Sequence, residues 1–257
     1  MNGPASVSSG GEYRRLRVWN ASLAGVHAAQ AALILALSNG FSLPITISFM
    51  TGPPGTATTT NTVYDLPIGP AVAVFLLLAA IDHGLMAAPR IHGWYERNLG
   101  RERNPARWWE YSVSASLMIV LIAMYTGIGD LAALIAIFGV NATMILFGLA
   151  MEYANRPGAP VTWRPFLYGC FAGAVPWVAI AVQIGYSQAQ TGDVPGFVFG
   201  IFASLFVLFM SFAVNMAFQY RRRGRWQSYL FGERVYLLLS LTAKSLLAWQ
   251  IFFPTLA

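Results

Sequence analysis

The chain has 257 residues, of which 56% are hydrophobic and only 10% charged, with a mean hydropathy of +0.55. A soluble domain carries about a quarter charged residues to wet its surface, so most of this surface must face lipid and the chain is an integral membrane protein. Collagen-like, disordered and disulfide-scaffold classes fall with the same numbers, and Cys170, the single cysteine, permits no internal disulfide.

Residues 1–17 are rich in Gly and Ser and predict a disordered tail, leaving 18–257 as one membrane domain. Seven stretches then reach the roughly 20 apolar residues that a transmembrane helix needs: 18–39, 67–88, 108–129, 131–154, 165–186, 196–220 and 234–253. The first is too long for a signal-peptide core and lacks an A-x-A site, so it reads as a retained span. Between the first two spans, residues 43–66 hold the turn Thr51–Gly52–Pro53–Pro54–Gly55 between two β-favouring arms, which predicts a β-hairpin. Its edge either pairs with another chain or stays solvated. Gly127–Ile128–Gly129–Asp130 makes a tight turn between the third and fourth spans. Gly169 and Gly173 form a small-xxx-small pair on the fifth, suited to close helix packing.

All fifteen arginines fall in segments that alternate spans place on one side. They are Arg14, Arg15 and Arg17; Arg90, Arg97, Arg101, Arg103 and Arg107; Arg156 and Arg164; and Arg221, Arg222, Arg223, Arg225 and Arg234. The positive-inside rule makes that side cytoplasmic, with the N-terminus inside and the C-terminus outside. The pI near 9.7 is therefore a topology signal and not a sign of nucleic-acid binding.

Ionisable groups inside the membrane are expensive and mark function by default. Lys244 is the single lysine and lies mid-span in the seventh helix. A buried amine is either half of an ion pair or a nucleophile that condenses with a carbonyl. Ser240, one turn earlier on the same face, either hydrogen-bonds that amine or its own i−4 carbonyl. Glu110 opens the third span, as a counterion to the amine or as a solvated interfacial carboxylate. Counted from the arginines, it enters the membrane about 5 Å deep and Lys244 about 15 Å, at about 1.5 Å per residue, a gap that the backward lean of helical side chains narrows.

His27 and His83 sit in the arginine-side half of spans one and two, as a polar proton-handling pocket or as two separately bonded imidazoles. Two histidines without a cysteine or carboxylate at ligand spacing make no metal set. Asp82 adjoins His83, and its role stays open. Ser114, Leu117 and Met118 share the face of Glu110 at i+4, i+7 and i+8, and Tyr111 next to Glu110 is, with Ser114 and Met118, a candidate pocket residue. Phe138, Asn141 and Met144 on span four, Trp177 on span five, and Phe209 and Phe212 on span six line an aromatic pocket or simply pack. The chain has no Walker loop, GxSxG, HExxH or Rossmann fingerprint, so it reads as a non-enzyme.

Seven helices, a mid-membrane lysine on the last and a carboxylate on the third resemble a retinal-binding rhodopsin. Arginines that place the N-terminus inside resemble the heliorhodopsins among them. So do Trp109–Glu110–Tyr111–Ser112, Ala136–Ile137–Phe138–Gly139–Val140–Asn141–Ala142, Val194–Pro195–Gly196–Phe197–Val198, the run from Leu239 to Gln250, and Gly52–Pro53–Pro54–Gly55–Thr56. The resemblance implies retinal on Lys244 as a Schiff base, with Glu110 as its counterion and Ser240 hydrogen-bonding nearby. His27 and His83 would belong to a cytoplasmic-side cavity that accepts the proton. It further implies all-trans retinal isomerising to 13-cis, a slow signalling photocycle, and a homodimer built through the first outer loop and the middle helices. A cytoplasmic signalling protein is a further implied partner.

The hairpin-side half of every span lacks a carboxylate, which opposes ion pumping and favours a sensor. A light-gated proton channel is the second reading. The third is a lysine-dependent membrane transporter without retinal.

Overall fold

The computed structural model describes residues 6–256. Its elements in chain order are α1 (Ser6–Leu37), β1 (Ser42–Met50), β2 (Thr58–Pro67), α2 (Ile68–Ala87), α3 (Pro89–Leu99) and α4 (Pro105–Tyr125). They continue with α5 (Leu131–Ala154), α6 (Arg164–Thr191), α7 (Gly196–Tyr220), a 3-10 turn (Gly224–Gln227) and α8 (Tyr229–Thr255). Among the described residues seven helices, α1, α2 and α4 to α8, are long and apolar enough to cross a membrane. The expected all-α bundle with one hairpin is the observed one. α3 and the short 3-10 turn are additional. Pro89 starts α3, which buries His92, Tyr95 and Leu99 along one side at i, i+3 and i+7.

The bundle turns large apolar side chains outward: Phe171 is 79% exposed and Phe253 69%. In lipid the drive to bury such groups is gone, so helices associate through close packing and polar contacts. Gly148 of α5 shows the first, since a Cβ there would run into the Trp108 ring of α4. Gly173 of α6 lies against Met144 of α5 in the same way.

At one end the antiparallel hairpin runs from Ser42 opposite Pro67 to Met50 opposite Thr58, with a bulge between Ile45 and Thr46. The Thr46 amide donates to the Gly129 carbonyl at 2.8 Å and the Asn39 amide to the Leu256 carbonyl at 2.9 Å. These bonds join the hairpin, the α4–α5 turn and the last turn of α8. Gly129 is required there, because a Cβ would stand 2.9 Å from the Pro44 carbonyl oxygen. The arginine-bearing segments lie at the other end.

One expectation for the start of the chain is overturned. Residues 1–5 lie outside the described part, but from Ser6 onward the expected disordered tail is helix. Glycine and serine weaken a local helix, and tertiary contacts override them. Leu16 is buried against Tyr95 and Leu99, and the Arg17 Nε donates to the Ala87 carbonyl at 2.9 Å. Glu12 pairs with Arg234 at 2.6 Å.

Near the arginine end a buried cluster ties α4, α5 and α8. Arg107 bonds Glu233 of α8 and, at 2.6 Å, Glu152 of α5. Asn104 donates its backbone amide to Glu152 at 2.7 Å and its side-chain amide to Glu233 at 2.9 Å. The Tyr229 hydroxyl adds a bond to Glu152 at 3.0 Å. Above the guanidinium lie the rings of Tyr236, 3.9 Å away, and Trp108, at 4.5 Å. Charge counting along the sequence places Arg107 among the solvated arginines; in the structure it is 4% exposed. Arg107→Ala strands two buried carboxylates and is expected to cost about 3–5 kcal/mol, read as a lower unfolding midpoint in detergent. Glu12→Ala, which breaks a half-exposed pair, should stay within about 1 kcal/mol.

Candidate functional site

Lys244 projects from the middle of α8. Its side chain leans back toward the start of the helix, as Cα–Cβ geometry directs. The Nζ comes within 3.1 Å of Ser240 Oγ one turn earlier, and 3.0 and 3.1 Å from the two carboxylate oxygens of Glu110 on α4. This lean closes the depth gap that the sequence leaves between the two residues. Both side chains are buried, at 3% and 7% exposed. The Tyr111 ring lies under the amine at 4.9 Å, and its hydroxyl donates to the Tyr236 carbonyl at 3.3 Å. Sequence reasoning left ion pair and covalent site open for Lys244; the geometry shows a charge pair with a hydroxyl beside it.

From Lys244 and Ser240 a cavity of about 540 Å³ runs between α4, α5, α6 and α7. That is within the usual range of about 300–1,000 Å³ for small-molecule sites. Tyr111, Ser114, Met118, Met144, Trp177, Phe209 and Phe212 line it. Trp177 sets its ring edge-on against Phe202, Phe206 and Phe209, with centres 5.7, 5.3 and 5.4 Å away. Val178 of α6 and Phe206 of α7 also line the cavity and are exposed on the outer face, so it reaches the lipid side between these helices. Ser114 Oγ and the Tyr236 hydroxyl are buried in the lining without a hydrogen-bond partner among the described residues.

Two expected pocket residues stand elsewhere. Phe138 is half-buried and outside the cavity, because six residues at about 100° each turn it about 120° away from Met144. Asn141 shares the inward side of α5 but gives its amide to Ser116 Oγ of α4 at 3.0 Å, so it too is outside the lining.

His27 of α1 and His83 of α2 do come together. Their rings stack with centres 5.7 Å apart and planes at 10°. His83 Nδ1 is 2.9 Å from Asn20 Oδ1, an acceptor, so that nitrogen carries the proton. Both nitrogens of His27 are buried without a partner among the described residues. Neither histidine bonds Lys244 or Glu110 directly. Asp82 is half-buried on α2.

Sequence reasoning missed three features of the site. Asn20, the partner of His83, lies seven residues before His27 on the same side of α1, a spacing that could have revealed it. Gln30 of α1 accepts from the Trp249 indole of α8 at 3.1 Å. The third is the Arg107 cluster, whose Tyr236 and Trp108 also line the cavity.

The pair of charges has a measurable consequence in the ligand-free protein. Lys244→Met leaves Glu110 buried and alone and should cost about 3–5 kcal/mol. The double variant Lys244→Met/Glu110→Gln should recover most of that loss in thermal unfolding. Losses that simply add would mean the two groups are not coupled.

No curated protein sequence matches the chain. Among solved structures, it is similar to the rhodopsin of Exiguobacterium sibiricum, with a TM-score of 0.61 at 14% identity over 96% of this chain and 95% of that one. It is also similar to the light-driven proton pump LR (Mac) from Leptosphaeria maculans, with a TM-score of 0.59 at 12% identity over 96% and 94%. At such low identities these likenesses show the rhodopsin fold and nothing finer. The family model for heliorhodopsin matches residues 16–256. Nearly the whole described bundle is thus covered, and the chain belongs to the heliorhodopsin family.

Proposed function

We propose that this protein is a light-sensing photoreceptor carrying all-trans retinal on Lys244. The observation that carries this reading is the buried Lys244–Glu110 pair at the end of an apolar, aromatic-lined cavity. Retinal is an apolar polyene ending in an aldehyde. The lining fits the polyene, and Lys244 supplies the one amine that an aldehyde could condense with there. When bound, retinal supplies visible absorption and a double bond that light can rotate.

The protein's part is electrostatic. Glu110, with both oxygens within 3.1 Å of Nζ, holds a negative charge beside the nitrogen and keeps a proton on it. Ser240 adds a hydrogen bond at 3.1 Å. Tyr111 and Trp177 form walls of the apolar sleeve. His27 and His83 are the stacked, buried imidazoles on the arginine side, and we assign them the role of receiving the proton when the pair is broken.

We assign the arginine end to the cytoplasm, which puts the N-terminus inside and the C-terminus outside. The hairpin, with Ile47, Phe49, Val63 and Tyr64 exposed, is the face we assign to a homodimer. The position of the acids argues against ion pumping, while a slow photocycle and signalling to a cytoplasmic protein are what membership of the family implies. Every carboxylate within a span (Glu12, Asp82, Glu110, Glu152 and Glu233) lies in its arginine-side half.

Protein expressed with all-trans retinal should show a visible band that is absent from Lys244→Ala prepared identically. Glu110→Gln should keep the attachment and move the band to longer wavelength, because the positive nitrogen loses its stabilising charge. No band in either protein would remove retinal from the reading. Illuminated cells should show no pH change; one abolished by a protonophore would replace the sensor with a proton transporter or channel.

A further inference from the structure

A second cavity, of about 370 Å³, opens at the arginine end, away from Lys244. Its walls come from the α3–α4 loop, the α5–α6 loop, the end of α7 and the 3-10 turn. Arg156, Arg221 and Arg222 line it against a single acid, Glu102, with Trp226 and Tyr229 as aromatic walls.

The walls are built and not merely adjacent. Glu102 and Arg222 are the two non-glycine residues with positive φ among the described residues, at 55° and 48°. L-residues avoid that region unless the surroundings hold them. Here each holds the other, since Arg222 Nη2 donates to both Glu102 oxygens at 3.0 and 2.7 Å. This bond spends Glu102 on one arginine. Arg156 and Arg221 are left without a carboxylate partner among the described residues; Arg221 stands over the Trp163 ring at 5.5 Å. The floor is equally fixed. Tyr229 bonds Glu152, Gln219 bonds the Tyr229 carbonyl at 3.3 Å, and the Trp226 indole donates to Asn215 at 2.7 Å.

Planar guanidinium forks match the oxygens of phosphate, and a dianion answers an excess of two positive charges in the walls. We propose that this cavity binds a phosphate group, with Arg156 and Arg221 as its direct ligands and the Glu102–Arg222 pair as the frame that holds the loops around it. The group is carried either by a small soluble molecule or by a lipid headgroup, both available at this end of the bundle.

The test uses the full chain in nanodiscs of neutral phosphatidylcholine, titrated calorimetrically with pyrophosphate. The pocket variant is Arg156→Gln/Arg221→Gln. The control is Arg90→Gln/Arg97→Gln, which removes the same charge at the same end but outside the cavity. Equal unfolding midpoints verify that both variants fold. Saturable binding that weakens about tenfold or more, or about 1.4 kcal/mol, in the pocket variant and not in the control supports a soluble phosphate ligand. If pyrophosphate binds only weakly, nanodiscs containing phosphatidic acid address the lipid source. Phosphatidic acid co-purifying with the parent and the control, but depleted in the pocket variant, supports a headgroup ligand. Equal weakening in both variants, or no saturable binding together with equal lipid retention, overturns the proposal. None of these measurements requires retinal, so their outcome is independent of the photoreceptor reading.

Discussion

The structure depends on placing one ammonium group beside one carboxylate in a bundle that offers them almost no water. At about 3 Å and an effective dielectric of about 20, their attraction is about 5 kcal/mol. Removing each charge from water costs several kcal/mol. The two nearly cancel, so the pair is close to neutral for stability and decisive for geometry. Each partner is tolerable only where the other is. This requires the lean of Lys244 past Ser240, and it requires α4 to meet α8 at Glu110. The Arg107 cluster supplies that meeting from below, because Arg107 lies three residues before Glu110 and Glu233 eleven before Lys244 on the same two helices. Two buried ionic contacts between one pair of helices leave little freedom to slide.

Most of the architecture was legible because lipid writes a strong signal. Twenty apolar residues with arginines beyond one end can hardly be anything but a span, and the Gly-Pro turn between β-favouring arms at Thr51–Gly55 likewise has few alternatives. Lys244 and Glu110 stood out for the same reason, as charges where charge is costly. What escaped the sequence depends on partners far along the chain. Nothing local distinguishes Arg107 from the solvated arginines around it, since its carboxylates are 45 and 126 residues away. Residues Ser6 to Arg17 look too glycine- and serine-rich for helix until Ala87 and Arg234 are brought beside them. The pocket was legible by residue type and blurred by rotation. Met144 lines it, whereas Phe138 faces away and Asn141 spends its amide on Ser116.

Polar matter is distributed unevenly along the membrane axis. The stacked histidines, Asn20, Asp82, Glu110 and the Arg107 cluster all belong to the arginine-side half. Toward the hairpin, the interior around Ile34, Phe75, Ile122 and Ile251 is apolar and fully buried. Asp130 at that end is occupied in capping α5, accepting from the Ala133 amide at 3.0 Å. In the proposed photoreceptor, a proton leaving the nitrogen therefore finds carboxylates and imidazoles in one direction only, since the polar side chains toward the hairpin, such as Gln30 and Gln250, are neutral amides. Vectorial transport needs a supply on one side and an exit on the other. An interior whose titratable groups lie on one side can release a proton and take it back, which is why we read the protein as a sensor. What a single excursion can do is change which charges face one another near Arg107, where α4, α5 and α8 are joined. In that reading the helices themselves are what would carry such a change to the arginine-rich surface.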